Sequence, residues 1–126
     1  FKFDPLFEHF VVIGDRRKYL SALVNISLEE AGRVAQQHDI PYGTPRELLD
    51  NPDFLKIIDD RMAKKNAQLA RYETIKQYRI VKDPFSQEGG ELTAALKMKR
   101  HVIGRKYQDL IEDMYMDNKG WRKTAG

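Results

Sequence analysis

Residues 10–24, FVVIGDRRKYLSALV, decide the fold. Two apolar runs, residues 10–13 and 19–24, flank a charged turn of Gly14, Asp15, Arg16 and Arg17, which is the pattern of a β-hairpin. Neither run alternates with polar residues, as a strand with one wet face would, so both faces of these strands are expected to be covered, by helices or by a further domain. Downstream, SLEEAGRVAQQHDI places Ser27 and Glu30 at the spacing of a capping box, with Leu28, Ala31, Val34 and Ala35 as the buried stripe of a helix. TPRELLDNPDFLKII repeats the device: Thr44 to cap, Pro45 at the first helical position and Glu47 to complete the box, before Asn51 and Pro52 start again. Phe54, Leu55, Ile58, Met62 and Leu69 then mark one face of a helix of about five turns that should run to about Tyr72. IKQYRIVKDPF reads as a further strand closed by Asp83 and Pro84, and Gly89 with Gly90 opens a loop. The order is ββααβ, loop, α, and the fold class is α+β: a small mostly antiparallel sheet with packed helices. Residues 117–126, DNKGWRKTAG, form a polar tail that should fray, with Trp121 as its one large apolar group.

Composition narrows the function classes. The length of 126 residues suits one domain, and 41% apolar with 33% charged residues is globular composition with a heavily solvated surface. A net charge of +3 is a mild basic bias, short of the dense Lys/Arg surface of a dedicated nucleic-acid binder. Without cysteine there is no disulfide framework, thiolate metal site or cysteine nucleophile, which fits a reducing compartment. No apolar run approaches the roughly 18 residues of a membrane span, and no signal-peptide pattern opens the chain. A soluble, cytoplasmic protein is expected. The chain starts on Phe1, with Phe3, Leu6 and Phe10 close behind, and reads as a piece of something longer.

The chemistry concentrates in residues 89–107, GGELTAALKMKRHVIGRKY. Lys97, Lys99, Arg100, His101, Arg105 and Lys106 arrive without an acidic residue among them, and the stripe Ile103, Tyr107, Leu110, Ile111 and Met114 then carries the acids Asp109, Glu112, Asp113 and Asp117. Along one helix this charge order opposes the macrodipole, which favours acids first and bases last. An inversion of that kind costs about 0.3–1 kcal/mol per exposed charge and is tolerable where anions bind.

Three segments together resemble one family, the C-terminal domain of AMP-forming acyl-CoA synthetases of the long-chain fatty acid–CoA ligase type. DPLFEHFVVIGDRRKYLSALV is similar to the hairpin after the interdomain hinge, LARYETIKQYRIV to the helix-to-strand step, and GELTAALKMKR to the closing motif G-E-L-T-P-T-L-K-x-K-R. The resemblance covers nearly the whole chain, with residues 1–116 as the C-terminal lid and Ala94 and Ala95 in place of the usual Pro-Thr, a change expected to loosen the loop. It implies that Lys97 is the catalytic lysine of acyl-adenylate formation from fatty acid and ATP, with Mg2+ accompanying the nucleotide. It also implies that the lid swings between two poses, the second admitting coenzyme A, and that a large N-terminal adenylation domain absent from this chain holds the nucleotide and acyl pockets. That domain would be the chief partner, and the lid alone should be inactive. Lys99, Arg100, Arg16 and Arg17 are candidates for nucleotide or coenzyme A phosphates. A peripheral membrane contact of the parent stays open.

Simpler readings stand beside these. Cations at a helix start are commonly a solvated face. His9, His38 and His101 lack metal-ligand spacing, so no metal site is expected. Asp59 with Asp60, and Glu112 with Asp113, are adjacent helical residues that point apart and read as solvated charges. The alternative function is a small basic nucleic-acid-binding module gripping phosphates through residues 97–106; the aromatics are not interleaved with the bases as stacking would require, so no nucleic-acid partner is expected.

Overall fold

In the computed structural model, residues 4–14, 17–69, 74–116 and 122–125 are described. Strands β1 (Phe7–Ile13) and β2 (Leu20–Ile26) are followed by helix α1 (Leu28–Gln37), a 3-10 helix (Pro45–Asp50) and helix α2 (Pro52–Asn66). Strand β3 (Ile75–Val81), helices α3 (Arg100–Lys106) and α4 (Gln108–Met116) and strand β4 (Arg122–Ala125) complete the order. The sheet runs β1-β2-β3-β4. β1 and β2 pair antiparallel, with Phe10 opposite Val24, as a tight turn requires. β3 joins β2 in parallel, with Ala22 beside Tyr78 and Val24 beside Ile80, so the sheet as a whole is mixed. Its direction follows from the connection: α1, the 3-10 helix and α2 carry the chain back to the starting end, the length of crossover that parallel neighbours need. β4 then pairs parallel with β3, where the sequence had suggested a frayed tail.

The unbroken apolar runs have the expected cause. Ser21 through Ile26 of β2 are all buried, because the strand lies between two helical layers. On one face Ala22, Val24 and Ile26 meet Tyr78 and Ile80 and pack against Val34, Phe54, Ile58 and Met62. On the other, Val11, Leu23 and Val81 pack with Phe85, Leu92, Ile103, Ile111 and Met114. The period-2 alternation of β-strands thus sorts one hydrophobic run into two cores. β1 lies at the sheet edge, with most of its residues only partly buried. Asn25, 2% exposed, joins the layers: its amide donates to the Val81 carbonyl (2.9 Å), while its oxygen accepts from the Phe85 N–H (2.8 Å) and lies 3.2 Å from Nδ1 of His9.

Local details depart from the sequence reading where a competing partner wins. Ser27 caps α1 by accepting the Glu30 N–H, but the reciprocal half of the box is absent because the Ser27 N–H donates to the Leu6 carbonyl (2.9 Å). Thr44 makes no side-chain cap; the Glu47 carboxylate accepts from the Gly43 N–H instead (3.0 Å), and the segment winds as a 3-10 helix. Asn51 does cap α2, accepting from the N–H groups of Asp53 and Phe54. α2 ends at Asn66, short of the expected Tyr72, which lies outside the described residues. There the Asn66 side chain takes both backbone groups of Ile75, at 2.9 Å each, and ties the helix end to the start of β3. Among the described residues, no helix is long and apolar enough to cross a membrane.

Candidate functional site

The lysine loop is built from its glycines upward. Gly90 has φ +88°, a conformation open to glycine and strained for other residues, and its N–H donates to the Gln87 carbonyl (3.1 Å). Leu92 and Met98 then form a single antiparallel bridge, and the chain between them closes as a small hairpin. The Thr93 N–H donates to the Lys97 carbonyl (2.8 Å), the Leu96 N–H to the Thr93 carbonyl (2.8 Å), and the Lys97 N–H to Thr93 Oγ1 (3.1 Å). Leu96 completes the loop in the left-handed region at φ 63°, the position a three-residue hairpin loop normally gives to glycine. Ala94 and Ala95 therefore occupy a loop that backbone bonds and Thr93 already close. Lys97 is exposed where the loop closes, opposite Thr93, and among the described residues its ammonium makes no hydrogen bond or ion pair.

The reversed charge order has a structural answer. The stripe predicted as one helix is two, broken at Tyr107 (φ −110°, ψ 26°). Arg105 and Lys106 thereby close α3 and Asp109 opens α4, each suiting its own helix end, so the unfavourable sign is confined to the first turn of α3, at Arg100 and His101, and to Asp113 in the last turn of α4.

Two of the predicted phosphate ligands come together. The turn after β1 and helix α3 form the walls of a cleft of about 390 Å³, with Ile13, Gly14 and Arg17 on one side and Arg100, His101, Gly104 and Arg105 on the other. Arg100 also donates to the Val12 carbonyl, capping part of the exposed β1 edge. Arg17 is the more constrained of the pair. Its guanidinium binds the Glu112 carboxylate and lies 4.9 Å over the Tyr115 ring. The Glu112 hydrogen bond raises the Arg17 pKa, and the same bond holds the Glu112 carboxyl below its ordinary range. An anion entering the cleft would meet Arg100 and Arg105 as its freer cations. Tyr115 fixes this end of the hairpin to α4: its hydroxyl donates to the Tyr19 carbonyl (2.7 Å), lies 2.9 Å from Ser21 Oγ, and its ring stacks on Tyr19 at 4.7 Å. Burial pushes the Tyr115 hydroxyl pKa up.

Lys97 and Lys99 lie off the cleft; Lys99 caps α3 through its backbone, its N–H donating to the Glu91 carbonyl (2.7 Å). Arg16 and Trp121 fall outside the described residues. Sequence reasoning passed over Arg105 and His101 as cleft residues, although 101 and 105 share a helical face by their spacing of four. The acidic pairs do point to different partners, and Asp60 and Asp113 are exposed as expected, but three of the four acids hold a distant side chain. Asp59 accepts from the buried Tyr78 hydroxyl, Glu112 binds Arg17, and Asp113 lies 3.2 Å from Arg79, itself 1% exposed. Their partners come from distant parts of the chain, which no local spacing reveals. Among the described residues no three His, Asp or Glu side chains converge in a group that could hold a metal ion.

The mixed sheet thus lies between two helical layers, with the lysine hairpin leading into α3 and the basic cleft lined by that same helix. Residues 2–119 match the family model described as the AMP-binding enzyme C-terminal domain, and the chain belongs to that family. Over 112 residues it is 31% identical to a long-chain-fatty-acid–CoA ligase of Mycobacterium tuberculosis, covering 88% of this chain and 19% of that protein. A long-chain-fatty-acid–CoA ligase of Rattus norvegicus is 28% identical over 132 aligned positions, covering 91% of this chain and 18% of the relative. The chain therefore spans about a fifth of the length of these relatives. Among solved structures, the adenylation domain of a carboxylate reductase from Mycobacterium chelonae superposes with a TM-score of 0.65 at 29% identity, over 90% of this chain and 16% of that one.

Proposed function

We propose that this chain is the mobile C-terminal lid of a long-chain fatty acid–CoA ligase, and that Lys97 is its catalytic residue for acyl-adenylate formation. The observation that carries the reading is an exposed lysine held at the closure of a hydrogen-bonded hairpin loop, in a chain whose relatives include ligases of this activity. In the first half-reaction a fatty-acid carboxylate oxygen bonds to the α-phosphorus of ATP as the bond from that phosphorus to the bridging oxygen breaks, releasing pyrophosphate. Negative charge gathers on the reacting oxygens, and a preorganised ammonium stabilises it. Lysine suits this because a long stem delivers a compact charge into a cleft of the partner domain. In the second half-reaction the coenzyme A sulfur attacks the acyl carbon, AMP leaves and the thiol proton passes to solvent. Arg100, Arg105 and Arg17 bind coenzyme A phosphates there, with Arg17 sharing its charge with Glu112. Lys97 does not line the cleft, which suits a domain that turns to present one and then the other.

The test is Lys97→Ala in the full-length enzyme, with pyrophosphate exchange and thioester formation from premade acyl-adenylate assayed separately. Exchange should collapse, by about a hundredfold or more for loss of such a charge, while the thioester step survives. Survival of both steps makes Lys97 an ordinary surface lysine. AMP release that does not depend on coenzyme A would refute the ligase reading.

A further inference from the structure

Glu91 is the only acidic side chain among the described residues that is buried, at 2% exposure, and it lies at the base of the lysine hairpin. A carboxylate removed from water is costly unless its oxygens are satisfied and its charge is paired. Both conditions hold. One oxygen accepts the Ser86 N–H (3.1 Å) and the other accepts from the Lys106 ammonium, which also reaches the Gly89 carbonyl (3.3 Å). The Glu91 backbone carbonyl takes the Lys99 N–H. One residue therefore grips both ends of α3, at its cap Lys99 and at its last residue Lys106. The space it occupies is kept open by Gly89, where a Cβ would lie 2.4 Å from Glu91 Oε1. The hairpin itself is short, closed by the Leu92–Met98 bridge and the backbone bonds Thr93 to Lys97 and Lys99 to Glu91, so the angle at which it leaves the domain is set at its base, where Glu91 lies.

We propose that Glu91 and Lys106 are positioning residues for the adenylation step: their ion pair locks the lysine hairpin to α3 and fixes the direction in which Lys97 is presented. This rests on the reading of Lys97 as the catalytic lysine. The pair also ties the Lys106 ammonium to a buried carboxylate, while the Lys97 ammonium stays free to meet the nucleotide. Because the link is a directional ion pair between two segments, losing it releases the hairpin angle without emptying a core; Glu91→Gln does so without leaving a buried charge unpaired, whereas Lys106→Met leaves the Glu91 carboxylate without its cation.

The experiment uses the full-length enzyme with Glu91→Gln, Lys106→Met and Lys106→Arg, alongside Lys97→Ala. Glu91→Gln and Lys106→Met should lower kcat of pyrophosphate exchange by roughly tenfold to a hundredfold, the penalty of a misplaced catalytic group, with little change in KM for ATP. Lys106→Arg should restore most of the rate, and thioester formation from premade acyl-adenylate should stay within about twofold in all three. If Lys97→Ala abolishes exchange while Glu91→Gln and Lys106→Met leave it intact, the pair does not position the loop. If both half-reactions fall together, the pair serves only the fold and the proposal is overturned. If Lys97→Ala itself leaves exchange intact, this inference falls with the reading beneath it.

Discussion

Gly104 offers the sharpest test of the basic cleft. It lies inside α3 and lines the cleft, and a Cβ built there would have no atom within 4 Å. Alanine at this position therefore adds no clash and removes the conformational freedom that makes glycine a poor helix residue, a gain of about 0.5–1 kcal/mol. For a domain of this size that raises the melting temperature by roughly 2–5 °C. Leucine gives a similar helical gain but projects four carbons into the opening between Arg17 and the arginines of α3. Gly104→Ala and Gly104→Leu should both stabilise the isolated chain in chemical or thermal unfolding. In the full-length enzyme only Gly104→Leu should raise KM for coenzyme A, by about tenfold, equivalent to one lost charge-assisted contact. Pyrophosphate exchange should be unaffected in both. An unchanged KM for coenzyme A in Gly104→Leu would refute the assignment of the cleft. Destabilisation by Gly104→Ala would refute the reading of open space above the helix.

Other outcomes follow from the same geometry. Asn25→Ala leaves the Phe85 N–H and the Val81 carbonyl buried without their partner and should cost about 2–4 kcal/mol, read from urea denaturation. Gly90→Ala forces an L side chain to φ +88° and should destabilise by about 1–2 kcal/mol, while Gly104→Ala, the same chemical change, has the opposite sign. Burial opposes ionisation of Glu91, but the Lys106 and Ser86 hydrogen bonds outweigh it, so its pKa lies below the ordinary 4.5; that of Lys106 is raised above 10.5, chiefly by its hydrogen bond to Glu91. A depressed carboxyl stabilises the fold above its unfolded pKa and stops doing so as pH falls through the folded value; the raised lysine loses its share as pH rises past 10.5. The stability advantage of the native chain over Glu91→Gln should therefore be full at neutral pH and vanish in acid below 4.5, measured by denaturant titration across pH.

What the sequence made legible was what nearest neighbours decide. The hairpin, β3 and the caps Ser27 and Asn51 lie where apolar runs and side-chain oxygens place them. The continuous burial of β2 was readable because a strand between two layers has no use for polar alternation. The parallel entry of β3 was not, since a strand carries no mark of its direction. The break at Tyr107 has neither glycine nor proline to announce it. At Thr44 the spacing suited a capping box, but the Gly43 N–H was nearer to hand for Glu47. Within the candidate site, the motif pointed to Lys97 and the charge run to Arg100, yet the partner of Arg17 is 95 positions away, and the burial of Glu91 emerges only once α3 folds back over the loop.

The space above Gly89 has a historical consequence. Any larger residue there displaces the Glu91 carboxylate, a movable side-chain end, so the steric conflict is easily relieved; what is lost is the link to Lys106. Positions 89, 91 and 106 are thus bound into a single inherited unit. A lineage that abandons the glycine has no reason to keep the acid, and one that abandons the acid no longer needs the lysine. Across relatives the three should be retained or lost together.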